Sequence, residues 1–443
     1  MTDWFSKSPR ELLALEALTL PRCAAVLGRV IPPSSKSLTQ RYLNLALLAR
    51  SPLVVERPLL AEDSDLFLAA LERLGFQVER SPGRVRLEPR GRLPAEAEIF
   101  CGPNGTMLRF LTASLTALPG RWRLDGVPRL RQRPVGPLVT ALRQLGAEIE
   151  YLEAEGFAPL GITGGTLRGG HGVLDAGESS QYLSALVLAS LKARETVTVE
   201  VAALASSPYL DLTLEAVEAF GGQVAWDGQT VGIEPGAIGA VTVTVDGDDS
   251  AAGYPAALAA LLGGPVVING LNPQSKQGDR GFLAVLERMG ATARWRPDGG
   301  MEVRGGSLQG VVEDLSEMPD QVPTLAALAP FAHGVTRIEN VPHLRLKESD
   351  RLGAMAAELQ RLGATVEELP DGLVIPGVWA DGVPTGLPAV AVESHGDHRI
   401  AMSLALVGLR RGGVTVKNPG VVAKSYPEFW RDLGALINPG PQG

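Results

Sequence analysis

Six short segments of this chain concentrate the residue types that bind and move charge. They read PPSSKS (32–37), GPNGT (102–106), GESSQ (177–181), DGDDS (246–250), EMPDQ (317–321) and SHGDHR (394–399). Each stands immediately before a stretch rich in Ala and Leu. Taken one at a time, Gly, Ser, Asn and Asp in such places are ordinary helix N-caps. Six in register say more. An exposed helix start contributes about 0.3–1 kcal/mol to a nearby anion. Three parallel starts with added cations make a strong anion receptor. The cations are there: Lys36 and Arg41 flank the first start, Arg109 follows the second, and Arg133 lies in RLRQRP (129–134). Lys347, Glu348 and Arg351 stand together in LRLKESDR (344–351), Arg399 in DHR, and Lys424 in AKSYP (423–427). Read alone, RLKESDR is an exposed helix start with Lys347 and Arg351 as a like-charge i,i+4 pair.

The elements that must position these residues repeat. A helical stretch, Leu-Gly-Ala or a variant, and a strand-like run appear as LERLGFQVER (71–80), LRQLGAEIEY (142–151), VEAFGGQVAW (217–226), LERMGATARW (286–295) and LQRLGATVEE (359–368). A partial copy, FWRDLGAL, ends at 436. The glycines, Gly75, Gly146, Gly221, Gly290, Gly363 and Gly434, recur every 69 to 75 residues, the mark of six copies of one unit. Gly just past an amphipathic helix fits a left-handed C-cap, where a β-carbon costs energy. The alternation that follows suits a strand with one face buried.

A second helix recurs in the same phase, beginning near Leu38, Gly105, Ser180, Ser250, Asp320 and His398. It is apolar nearly all round, so it is buried on most sides. Each unit of about 70 residues therefore holds one buried helix, one amphipathic helix and several strands. Three units form a ring of sheets around three buried helices, and six give two such domains, with the midpoint near 245.

Composition excludes other classes. The chain has 443 residues, 20% of them charged and 45% hydrophobic, which is globular usage. A net charge of −8 argues against a general nucleic-acid surface but not against a small anionic ligand. Cys23 and Cys101 are the only cysteines, too few for a Cys-rich zinc site or a disulfide framework, and a reducing cytosol is expected. No apolar run is long enough to span a membrane. Residues 1–20 are expected to form a frayed or surface-docked helix. GxxxxGK[ST] and GxGxxG motifs are absent. His395 and His398 lack a further set of metal ligands.

The runs PSSKSLTQR (33–41), GPNGTMLR (102–109), RQRP (131–134), ESSQY (178–182), SSPYLDLT (206–213), MPD (318–320), RLKESDR (345–351), GDHR (396–399) and KSYP (424–427) resemble the enolpyruvyl transferases, and among them the EPSP synthases. The likeness runs from about residue 25 to the C-terminus, in family order. It implies an α/β (α+β) inside-out barrel in two domains, each of three βαβαββ repeats around buried parallel helices. The domains would be 33–247, on the shikimate 3-phosphate side, and 1–32 with 248–443, on the phosphoenolpyruvate side. The active site would lie in the cleft between them, which closes like a clamp.

The implied reaction moves the enolpyruvyl group of phosphoenolpyruvate to the 5-hydroxyl of shikimate 3-phosphate and releases phosphate. By the same resemblance Ser37, Arg41, Ser179, Ser180, Ser206 and Lys347 contact shikimate 3-phosphate, and Gln181 sits between both substrates. Lys36, Arg133, Arg351, Arg399 and Lys424 are the phosphoenolpyruvate cations, with Gly105 in the adjoining loop. Asp320 is the base near the hydroxyl, Glu348 the acid at the methylene carbon, and Lys36 a catalytic cation. The residue chemistry agrees. The substrates together carry two carboxylates and two phosphates, and each charge-assisted contact contributes about 1.5–3 kcal/mol. Taking a proton from oxygen and placing one on carbon requires two carboxyl groups in different states. No metal or organic cofactor, nucleic acid or membrane is called for, and a cytoplasmic monomer is expected.

Three places depart from the family pattern. Pro103 removes a backbone donor from the loop, His343 stands where many members have Asn, and PPSSKS replaces the commoner Pro-Gly-Ser-Lys-Ser. The sister enzymes that act on UDP-N-acetylglucosamine usually carry a reactive Cys, where Arg129-Leu130-Arg131-Gln132 stands here. A non-catalytic relative would have lost Lys36, Asp320, Glu348 or Arg399, and all four are present.

Overall fold

Burying the apolar helices requires a layer of strands on every side. The computed structural model describes residues 7–438. Contacts divide the chain into two compact units, one of Ser34–Asp246 and the other of the chain up to Pro33 together with that from Gly247 onward. The chain therefore passes between the units twice.

In the first unit the buried helices are Lys36–Ala49, Gly105–Ala117 and Ser180–Ser190. In the second they are Asp249–Leu262, Val322–Leu328 and His398–Arg411. Every residue of Asp249–Leu262 is buried, as its all-round apolar composition demands. The segment around Val322 does not make one long helix. It is split into 3₁₀ turns at Pro319–Gln321 and Ala329–Phe331 on either side of Val322–Leu328. Pro330 has no N–H to donate, and its ring would crowd the preceding turn.

Four of these six helices connect two parallel neighbours in a sheet. Glu96–Phe100 pairs parallel with Arg121–Asp125, which pairs antiparallel with Leu160–Thr163, which pairs antiparallel with Glu148–Tyr151. Four further sheets repeat this order of four strands. The apolar faces of all three sheets in the first unit join one core, through Val55 and Val85, Leu124 and Leu160, and Val199 and Ile233. At the junctions the strands trade places. Gly28–Val30 precedes the Lys36–Ala49 helix but pairs with Val266–Ile268 in the second unit. Thr242–Thr244 precedes the Asp249–Leu262 helix but pairs with Leu53–Glu56 in the first.

Two expectations need correction. Residues 1–6 lie outside the described residues, and the stretch after them is not one docked helix. A one-turn helix, Pro9–Leu13, is followed by the strand Ala17–Leu20, which pairs antiparallel with Val414–Lys417. That strand stands in for the hairpin of the sixth repeat, whose sheet has three strands among the described residues. The second correction is Gly434. Gly75, Gly146, Gly221, Gly290 and Gly363 all have φ between 73 and 101°, the left-handed conformation of a C-cap. Gly434 instead lies inside the Phe429–Ile437 helix, and among the described residues no strand follows that requires a turn.

Candidate functional site

The three helices of each unit start at the same level. In the first unit Gln181 Nε2 donates to Thr106 Oγ1 at 3.0 Å, each the second residue of its helix. One turn deeper, Arg41 NH2 donates to Ser184 Oγ at 3.3 Å. Deeper again, Asn44 Nδ2 donates to Ser114 Oγ at 2.9 Å. Residues equally far from their starts touch, so the helices run parallel and their free N–H groups share one end. Ser35, Asn104 and Ser179 cap these starts, accepting from Leu38, Met107 and Gln181 N–H.

Around that end stand Lys36, Ser37, Arg41, Gly105, Arg133, Ser179, Ser180, Gln181 and Ser206. Arg41 is 2% exposed. Its Nε donates to Thr213 Oγ1 at 2.9 Å, its NH1 to Ser37 C=O at 2.9 Å and its NH2 to Tyr209 C=O at 2.7 Å. All these acceptors are neutral. Among the described residues no carboxylate stands within salt-bridge distance of Arg41, and burial pulls its pKa down to about 10. A buried guanidinium surrounded by neutral acceptors is a standing attraction for an anion.

Arg109 NH1 donates to Gln181 Oε1 at 2.6 Å, and its guanidinium lies over the Tyr182 ring. This fixes the Gln181 amide with its NH2 toward Thr106. Arg133 is buried against Gly105, where an added β-carbon would meet the guanidinium carbon at 2.6 Å, so Gly105 is the room Arg133 occupies. Ser206 holds φ at 54°, a left-handed conformation costly for a residue with a side chain, just before the Pro208–Ala219 helix.

Asp63 was not foreseen from the sequence. Its carboxylate meets Lys36 Nζ at 3.4 Å, and its carbonyl accepts from Asn104 Nδ2 at 2.9 Å. One residue therefore ties the first cation to the GPNGT loop.

The second unit gathers Asp320, Lys347, Glu348, Arg351, Arg399 and Lys424. Here too the starts are level: Gln321 Nε2 donates to Ser250 C=O at 3.1 Å, and Arg399 NH1 donates to Tyr254 Oη at 3.4 Å. Arg351 is the hub. Its NH1 donates to Asp320 Oδ1 at 2.7 Å, its NH2 to Glu348 Oε2 at 3.1 Å and its Nε to Asp397 Oδ2 at 2.8 Å. Arg399 NH2 reaches the other Asp320 oxygen, and Lys424 Nζ lies 3.7 Å from the other Glu348 oxygen. Each of the two carboxyls is thus held between two cations, with its position set. Burial alone would lower the Arg351 pKa, but Asp397, Glu348 and Asp320 together hold it above its ordinary range.

The Arg351–Arg361 helix begins at Arg351, capped by Asp350, so Lys347 lies outside it. The exposed i,i+4 pair read from RLKESDR therefore does not form. His343 is buried nearby, and burial followed by Lys347 pulls its pKa to about 3, which leaves a neutral imidazole. Among the described residues no group of three or more His, Cys, Asp or Glu could hold a metal ion, and no helix is long and apolar enough to cross a membrane.

Asp397 and Asp279 were also missed as site residues. Asp397 sits in the GDHR run, so a signal was available, while Asp279 belongs to a loop with no site motif. Ser250 Oγ donates to Asp279 Oδ2, and burial followed by the charge of Asp320 pushes the Asp279 pKa up from 3.8 to about 7. A carboxyl raised in the folded state favours folding when protonated. Its ionisation costs nothing below 3.8, costs progressively more as pH climbs, and the loss is complete above about 7. Asp279→Asn should therefore melt higher than the parent at about pH 8, with the gain shrinking to nothing near about pH 4. Calorimetry across that range checks it, and a difference that does not change with pH contradicts it.

The chain was compared with known proteins. Residues 22–433 match the family model of EPSP synthase (3-phosphoshikimate 1-carboxyvinyltransferase). The chain is similar to the 3-phosphoshikimate 1-carboxyvinyltransferase of Syntrophobacter fumaroxidans, 44% identical over 424 residues, covering 94% of this chain and 99% of the relative. It is similar to the enzyme of that name from Vibrio cholerae, 40% identical over 431 residues, covering 95% and 100%. Among solved structures it resembles an EPSP synthase from Acinetobacter baumannii, with TM-score 0.78, 28% identity and coverage of 95% and 98%.

Proposed function

The chain belongs to the EPSP synthase family, and from that premise we propose how its side chains divide the work of enolpyruvyl transfer. The reaction joins phosphoenolpyruvate to the 5-hydroxyl of shikimate 3-phosphate and releases phosphate. In this reading Ser37, Arg41, Ser179, Ser180, Ser206 and Lys347 hold shikimate 3-phosphate. Lys36, Arg133, Arg351, Arg399 and Lys424 hold phosphoenolpyruvate, with Gln181 between the two. The buried charge of Arg41, met only by neutral acceptors, supports the first group.

The chemistry runs in two steps. Asp320 takes the hydroxyl proton as that oxygen bonds to the central carbon of phosphoenolpyruvate, and Glu348 gives a proton to the methylene carbon. The methyl group so formed then returns a proton as the carbon–phosphate oxygen bond breaks, which restores the double bond. One observation carries this assignment: the single guanidinium of Arg351 holds both Asp320 and Glu348, so acid and base serve one small substrate. Fixed carboxyls and cations need no reorganisation as charge moves.

In this reading the protein is a monomer that closes on shikimate 3-phosphate and excludes water. Shikimate 3-phosphate should shrink the radius of gyration in X-ray scattering, and an unchanged radius at saturation contradicts closure. The reaction itself is tested by phosphate release from phosphoenolpyruvate with shikimate 3-phosphate as acceptor. Release that requires UDP-N-acetylglucosamine instead overturns the assignment.

A further inference from the structure

Arg351 is not the only residue of its helix that reaches the SHGDHR segment. Glu358 lies seven residues further along the Arg351–Arg361 helix, two turns on and therefore on the same side. It is buried. Its Oε2 accepts from the backbone N–H of Glu393 at 3.2 Å, and its Oε1 meets His395 Nε2 at 2.9 Å. Arg361 Nε lies 3.4 Å from the same carboxylate. His395 has φ at 52°, a left-handed conformation that a residue with a side chain adopts only when held. Two residues on, Asp397 takes the Arg351 guanidinium at 2.8 Å and caps the His398–Arg411 helix by accepting from Arg399 N–H at 2.9 Å.

We propose that Glu358 is a positioning residue for the transfer: by gripping Glu393 and His395 it sets the turn that presents Asp397 and Arg399. One helix thus grips the turn twice, through Arg351 at its start and Glu358 two turns later. A buried carboxylate is costly unless it is paired, and Glu358 has three polar partners, Glu393 N–H, His395 and Arg361. The inference rests on the reading of Arg399 as a phosphoenolpyruvate ligand.

The test compares Glu358→Ala, Glu358→Gln and His395→Ala with the parent by phosphate release. Loss of the grip should raise KM for phosphoenolpyruvate about tenfold in Glu358→Ala, the size of one lost charge-assisted hydrogen bond. KM for shikimate 3-phosphate should stay within about twofold, because its ligands lie almost wholly on other elements. Glu358→Gln keeps the shape and one acceptor and should recover most of the loss. His395→Ala should move KM in the same direction by less, and it keeps the test open if Glu358→Ala does not fold. Unchanged constants in folded variants, or equal rises in both KM values, overturn the role of Glu358. Absence of turnover in the parent would overturn the reaction itself and this inference with it.

Discussion

Glu348→Gln is expected to lower kcat by about 10²–10⁴-fold, the range for losing a general acid, while KM for both substrates changes by no more than about threefold. The replacement has the same shape. Its amide oxygen still accepts from Arg351, which now donates to Glu348 at 3.1 Å. What disappears is the exchangeable carboxyl proton. The methylene carbon of phosphoenolpyruvate is a poor base and needs an acid held against it, so no bulk-water route replaces the loss. Solvent deuterium entering the methylene group gives a second reading. If the variant exchanges deuterium at the parent rate, another group is the acid and the assignment fails.

Arg351→Met should cost about 3–5 kcal/mol of stability, the range for breaking a buried ion pair from one side. The guanidinium is 2% exposed and touches Asp320, Glu348 and Asp397. Met fills the volume, but three carboxylates then face one another with less opposing charge. For a chain of this size that is a fall in Tm of roughly 3–5 °C. Lysine should rescue little, because a point charge on a flexible stem does not reach three carboxylates at once. Adding Asp397→Asn should return part of the stability, since it removes one charge that Arg351 had balanced, and the two substitutions share a partner. Calorimetry checks both. A fully stable Arg351→Met would mean that the network is not what holds this unit together.

Much of this was legible in the residues because it is local. The left-handed glycine after an amphipathic helix and the N-capping residues before a buried one act over a few positions, and five of the six glycines do what their spacing predicts. Gly434 fails because its role depends on a strand that the last copy lacks among the described residues. The helix expected around Val322 is broken by Pro330, a local signal outweighed by the apolar pattern. What stayed hidden is long-range. Asp63, Asp279 and Glu358 look like ordinary surface acids in sequence, and only the packing of other segments against them makes them structural. The exchange of Gly28–Val30 for Thr242–Thr244 is equally silent, since either strand suits either sheet by pattern alone.

The pairing of Ala17–Leu20 with Val414–Lys417 has a consequence for biosynthesis. Ala17–Leu20 leaves the ribosome well before the strand that it pairs with. Ser34–Asp246 is complete long before then and is free to fold as a nascent body, as domains generally do. Ala17–Leu20 meanwhile waits unpaired, with backbone donors and acceptors open to strangers. The two halves of the molecule therefore mature on different clocks, and the second one waits for Val414–Lys417.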